Sequence, residues 1–318
     1  MFLRIIAAMI IAFFSCFYFT SRMIHKNKNR QIERDYLASH ISKSGTTSAG
    51  GKAFFIATNI GFFISVIGLF IDWEIISLIF ASSMFFLIGL IDDISKSRFK
   101  SYKGVSARVR MLLEIIILIY FVLMLKNTAI DLKTIYIPLF DYELDIRNIY
   151  LLFLLFVLVG SSNSINLTDG LDGLASGLVM IAISPFILLS LLSKNYTIAI
   201  YLSSLVGAIM AFLYFNFHPA KIFMGDCGSL YLGSVLGAVS IILRNEIILF
   251  IAGFLFVLET ISVIMQVIYF KFTHKRVFLM TPLHHHFEKK GYSEVSVVMG
   301  FYLVGVFLSV FSIIVEVI

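Results

Sequence analysis

Phe215-Asn216-Phe217-His218-Pro219-Ala220-Lys221-Ile222-Phe223-Met224-Gly225-Asp226-Cys227-Gly228-Ser229 breaks a chain that is otherwise a succession of apolar runs. Between two long hydrophobic segments it sets an amide, an imidazole, an ammonium and a carboxylate beside Gly225 and Gly228, residues that let backbone approach a ligand closely. Taken alone, such a Gly-Asp pair reads as a polar turn between buried helices. The other polar islands of the chain change that reading, and Asp226 becomes the candidate metal ligand to which other carboxylates, histidines and lysines are brought.

Composition fixes the class. Of 318 residues, 59% are hydrophobic and 14% charged, and mean hydropathy is +0.97, against ~25% charged in soluble domains. The expected fold class is all-α: a polytopic integral membrane protein with about ten transmembrane helices, both termini outside, read as a single domain over 1–318. The net charge of +6 is spread over short segments between apolar runs, so no continuous basic face points to nucleic acid. Cys16 and Cys227 are too few and too differently placed for a disulfide framework. The first apolar run carries only Arg4 ahead of it, lacks a small-residue cleavage site and is followed by the basic residues a cleaved signal would carry in front, so it reads as a retained helix rather than a signal peptide.

Helices satisfy their own backbone hydrogen bonds, and ~20 apolar residues cross a ~30 Å hydrocarbon core. Spans are expected at 2–21, 53–71, 75–91, 111–126, 149–163, 174–193, 197–215, 229–243, 247–270 and 295–317. Five loops on one side then carry 19 of the 25 Lys and Arg, which makes those loops cytoplasmic and turns both termini outward. The opposite loops are tight turns except 126–148, which mixes charges without evident chemistry.

The chemistry is therefore expected in the basic-side loops and the helix ends framing them. The first loop holds Lys43 and then Gly45-Thr46-Thr47-Ser48-Ala49-Gly50-Gly51, glycines flanked by hydroxyls that can cradle phosphate or ribose; its basic residues also satisfy the topology rule. Asp92 and Asp93 are adjacent carboxylates at a membrane edge, expensive unless they face water, a metal or cations. Asn163 to Gly173 contains no Lys or Arg, so topology cannot explain its polarity; Asp169 and Asp172 would share a face in a helical first turn. Their spacing is not that of an EF-hand loop. The run His284, His285, His286 cannot aim all three rings one way, and a zinc site there would lack the usual ligand spacing. Five clustered carboxylates with basic residues on a lipid-embedded scaffold describe a Mg²⁺ site for phosphate chemistry, where a soluble phosphorylated donor meets an acceptor whose tail stays in the bilayer.

Ile91-Asp92-Asp93, Asn163 to Gly173, Phe215 to Ser229 and Met280 to Gly291, with its Pro-Leu-His-His-His-Phe-Glu core, resemble the phospho-N-acetylmuramoyl-pentapeptide transferase family of the polyprenyl-phosphate N-acetylhexosamine-1-phosphate transferase superfamily. The likeness runs through nearly the whole chain in order. It implies a ten-helix homodimer of the bacterial cytoplasmic membrane, using Mg²⁺ to move phospho-MurNAc-pentapeptide from UDP-MurNAc-pentapeptide to undecaprenyl phosphate, among membrane lipid, yielding lipid I and UMP. By motif, Asp226 resembles the principal Mg²⁺ ligand, with Asp92 and Asp93 beside it and the three histidines in the catalytic group. Phe223 would stack on uracil, helped by Lys43, Gly170, Leu171 and Asp172, while Ser48, Asn166, Asp169 and Gln266 would line the remaining nucleotide and phosphate site. The family's ninth helix is bent along a lipid groove; here that span holds Glu259 and no proline, so a bend needs another cause. The proline of the family's Gly-Thr-Pro-Thr loop is Thr47 here, and Cys227 stands where Thr is common. Rival readings are a GlcNAc-1-phosphate transferase of the same superfamily and, from another class, a divalent-cation transporter.

Overall fold

The computed structural model describes residues 1–26, 46–99 and 104–318. Each expected span falls on helix: α1 (Phe2–Lys26), α2 (Gly51–Ser65), α3 (Trp73–Phe99), α4 (Ala107–Leu125), α5 (Tyr150–Thr168), α6 (Leu174–Leu192), α7 (Tyr196–Asn216), α8 (Gly225–Ile242), the pair α9 (Glu246–Ala252) and α10 (Phe254–Thr273), and α12 (Glu294–Val317). The short α11 (Leu283–Lys289) carries the histidines. Among the described residues, eight helices are long and apolar enough to cross a membrane. The other two expected spans are α2, which is only 15 residues long, and α4, whose first turns contain Arg108, Arg110 and Glu114.

Local chemistry sets the ends. Ser106, Asn195 and Ser293 each accept a backbone N–H of the first turn, starting α4, α7 and α12, and Asp72 does the same for α3 through Ile75. Asn195 also donates to Glu74 at 2.6 Å and Thr197 to Asp72 at 3.2 Å, so the two acids at the start of α3 are tied to the start of α7.

Two features differ from expectation. The 126–148 loop contains an antiparallel hairpin, β1 (Thr134–Ile137) with β2 (Tyr142–Asp145), pairing Ile135 with Leu144 and anchored where Arg244 lies 3.2 Å from Glu143. Thr, Ile and Tyr suit a pleated surface, and Pro138 with the left-handed Asp141 (φ 44°) turns the chain between the strands. The span expected at 247–270 is broken at Gly253, where ψ of 10° leaves the helical range between α9 and α10. A glycine, not a proline, supplies the bend.

At the centre, α8 is enclosed by its neighbours. A Cβ at Gly233 or Gly237 would overlap the backbone of α5, so these glycines let the two helices touch. Ser161 and Ser162 use the proximity, donating to the Gly233 carbonyl at 2.9 Å and the Leu230 carbonyl at 3.0 Å. A π-helical turn at Phe156–Gly160 advances α5 just before these serines.

Candidate active site

The site is built on the first turn of α8, whose amides need partners that the helix cannot provide. Asp93, on α3, supplies them: one carboxylate oxygen accepts the Asp226 N–H and the other the Cys227 N–H, each at 3.0 Å. Gly225 turns the chain into the helix at φ +73°. Gly89 on α3 and Gly51 on α2 admit the turn from two sides: a Cβ on the first would overlap the Asp226 carbonyl, and on the second the backbone of Gly228. Asp93 therefore spends both oxygens on placing Asp226.

Asp92 is buried at 2% exposure. Its Oδ1 accepts the Val105 N–H at 2.5 Å, in a turn that Gly104 folds around it at φ +53°. Its Oδ2 lies 2.6 Å from Lys96 Nζ, and the same ammonium lies 2.9 Å from Asp226 Oδ2. Arg110 Nη1 stands 3.6 Å from that Asp226 oxygen, while Arg110 Nη2 donates to Asn163 at 2.9 Å. Asn163 in turn donates to the buried Glu114 at 2.9 Å. The three aspartates expected to meet are thus together, with one cation between Asp92 and Asp226. Lys96 falls in the basic-side loop between the expected spans 75–91 and 111–126; its place four residues after Asp92 on one helix face is the signal that marks it out.

The other expected residues gather around this turn. Asn166 donates to Ser229 Oγ at 2.8 Å, joining α5 to α8 one turn after Asp226. Asp169 and Asp172 lie not in a helical first turn, as expected, but in the link between α5 and α6, which Gly173 closes at φ +80°. Leu171 is buried there. Asp172, also buried, accepts the Ala220 N–H at 3.0 Å and lies 3.1 Å from His218 Nδ1; its own amide donates to Glu294 at 2.6 Å. It braces the 217–224 segment against α12, a role for Glu294 that no local pattern announced.

Phe223 is held through its backbone. Its N–H donates to the Thr47 carbonyl and its carbonyl accepts the Gly50 N–H, both at 2.8 Å, with Gly51 bonding Met224 in the same way. The half-buried Ser48 lies within that strip, and Lys43 lies outside the described residues. Gln266 accepts the amides of Val277 and Phe278 at 3.0 Å each, so it fixes the loop leading to α11.

The histidines diverge, as consecutive residues on a helix must. His284 is fully buried with Nδ1 3.2 Å from Glu259. His285 Nδ1 lies 2.7 Å from Glu288, and His286 Nδ1 accepts the Leu279 N–H at 3.1 Å. Burial lowers the pKa of His284 and of His286 below the usual histidine value. The three rings, expected not to aim one way, each meet a separate partner.

The comparisons with known proteins give the class: the model of glycosyl transferase family 4 matches residues 75–244, from α3 through α8. Proteins called phospho-N-acetylmuramoyl-pentapeptide-transferase are similar over most of the chain. That of Bacillus cytotoxicus is 42% identical over 276 residues, covering 86% of this chain and 85% of its own. That of Oceanobacillus iheyensis is 40% identical over 294 residues (92% and 90%), and that of Bacillus subtilis 42% over 291 residues (91% and 89%). The chain belongs to the phospho-N-acetylmuramoyl-pentapeptide transferase family, and it is a multi-pass membrane protein.

Proposed function

We propose that this chain transfers phospho-MurNAc-pentapeptide from its UDP carrier to undecaprenyl phosphate at the cytoplasmic face of the bacterial inner membrane, giving lipid I and UMP. The observation that carries the reading is the junction of Asp92, Lys96 and Asp226 beside the backbone-clamped Phe223. The basic loops support the orientation, since Lys96, Arg110 and Lys221 belong to the same side as the site. The relatives' names favour the muramoyl donor over a GlcNAc-1-phosphate donor and over cation transport. The active form in this reading is a homodimer, which the mass of the detergent-solubilised protein tests.

Hard carboxylate oxygens converging on one ammonium fit a divalent cation at the same place, so Asp226 and Asp92 are the residues that would hold Mg²⁺. Asp93 would serve it indirectly, by capping α8. When bound, the ion supplies charge neutralisation to the pyrophosphate.

The chain's own groups do the rest. Phe223 offers its ring to uracil. Lys96 and Arg110 offset charge on the pyrophosphate and on departing UMP. The acceptor phosphate attacks the sugar-linked phosphorus directly: a phosphate monoester has its second pKa near ~6, so the nucleophile is already ionised at neutral pH. Asp92 is accordingly a positioning group, with one oxygen on Val105 and the other on Lys96. Asp92→Asn is expected to lower turnover about a hundredfold, with no recovery between pH 7 and 9; recovery at alkaline pH would instead mark Asp92 as a base.

The direct test is purified protein with UDP-MurNAc-pentapeptide, undecaprenyl phosphate and Mg²⁺, assayed for UMP. UMP release that stops with EDTA and returns with added Mg²⁺ is expected. Release from UDP-GlcNAc instead, or metal flux into sealed vesicles without UMP, would replace the reading with one of its rivals.

A further inference from the structure

Glu259 is fully buried on α10, six residues past the break at Gly253. A carboxylate inside a membrane helix is costly unless something answers it, and it marks a functional place until shown otherwise. Among the described residues, two groups meet its Oε1, both belonging to His284, while its Oε2 has no hydrogen-bond partner. The backbone N–H of His284 donates to Glu259 Oε1 at 3.2 Å, and the Nδ1 of the ring lies 3.2 Å from the same oxygen, close but off the line of a good hydrogen bond.

His284 is likewise fully buried, with Nε2 sealed from solvent and, among the described residues, without a hydrogen-bond partner. On its far side the ring presses on Gly170, where an added Cβ would overlap Nε2. Gly170 lies in the turn between Asp169 and Leu171. The contact therefore runs from a membrane helix, through one imidazole, to the link between α5 and α6. A ring enclosed in this way has no open path to a substrate atom.

Burial keeps this imidazole neutral, so a single proton sits on one ring nitrogen. The carboxylate beside Nδ1 decides which one: a lone pair turned toward a carboxylate repels it, whereas an N–H is attracted.

We propose that Glu259 and His284 form an internal strut: Glu259 fixes His284 as the Nδ1–H tautomer, and His284, touching no substrate, sets the position of the Asp169 to Asp172 turn through Gly170. Both are positioning residues rather than catalytic ones. Only the kinetic arm of the test rests on the transferase reading above; the spectroscopic arm is independent of it.

The spectroscopic arm uses the full chain in nanodiscs with ¹⁵N-labelled histidine, the His284 signals being assigned by their loss in His284→Phe. A protonated-type Nδ1 and an unprotonated Nε2 are expected in the unaltered protein, with that preference lost in Glu259→Leu. The reverse tautomer, or a spectrum that Glu259→Leu leaves unchanged, overturns the proposal whether or not the protein makes lipid I. The kinetic arm compares His284→Ala with His284→Phe, which restores a flat ring of similar size without nitrogen. A strut predicts that the alanine variant raises the donor KM about tenfold or more with a smaller change in kcat, and that phenylalanine recovers most of the loss. Equal loss of kcat in both variants, with donor KM unchanged, would make His284 a chemical participant and sink the strut. Absence of UMP release by the unaltered protein would remove the transferase reading and leave the tautomer result to decide.

Discussion

Asp226→Asn is expected to cut UMP release by about a thousandfold or more, with the protein still folded and its thermal midpoint little changed. The geometry gives the reason. A single Asp226 oxygen is shared between Lys96 at 2.9 Å and Arg110 at 3.6 Å, and the same carboxylate would hold the divalent ion. Asparagine keeps the volume and removes the charge, leaving Lys96 paired with Asp92 alone and Arg110 facing an amide. The capping of α8 survives, because it uses the Asp226 backbone and the Asp93 side chain. Single-turnover release of UMP, alongside Mg²⁺ titration of donor binding, separates the effects. Turnover within fivefold of normal at unchanged Mg²⁺ demand would remove Asp226 from the centre of the reaction.

The second large effect is expected from Gly89→Ala, a residue with no functional group. Its methyl would overlap the carbonyl of Asp226, which is backbone and cannot swing aside. Either α3 moves away from α8 or the first turn of α8 shifts. Overpacking of this kind costs about 1–3 kcal/mol, and a displacement of ~1 Å at reacting groups costs about a hundredfold in rate. A drop in UMP release of that order, with a lower thermal midpoint, is expected; the opposite pairing, full activity at unchanged stability, would show that the two helices do not meet at this point.

What could be read from the chain before its structure, and what could not, divides along physical lines. Apolar runs of bilayer length located a helix at each of the ten expected spans, eight of them, among the described residues, long and apolar enough to cross a membrane, because hydrocarbon thickness constrains length directly. The meeting of Asp92, Asp93 and Asp226 was legible as costly charge at helix ends, which needs company. Their division of labour was not: nothing in a sequence tells that Asp93 turns both oxygens onto amides of another helix while Asp92 holds a lysine. Lys96 was hidden by the charge rule that explains basic loops in general. Gly253 was hidden because glycine is common in membrane helices and breaks only some of them. The 134–145 hairpin was passed over since four-residue strands carry too short an alternation to stand out. The three histidines were correctly seen to diverge, but their separate partners, Glu259, Glu288 and the Leu279 amide, come from distant packing or from the turn itself.

The crowding around α8 bears on how the molecule is made. Of the candidate membrane helices it is the least apolar and the most enclosed by protein. Left to itself in lipid it would gain little, since its small residues are there for close approach: Ser161 and Ser162 donate to its carbonyls, and Gly51 meets Gly228. Those neighbours all precede it in the chain. Synthesis from the amino end therefore lays down a receptive cleft before α8 leaves the ribosome, and the aspartate at its tip enters the bilayer edge as the last piece of a socket already waiting.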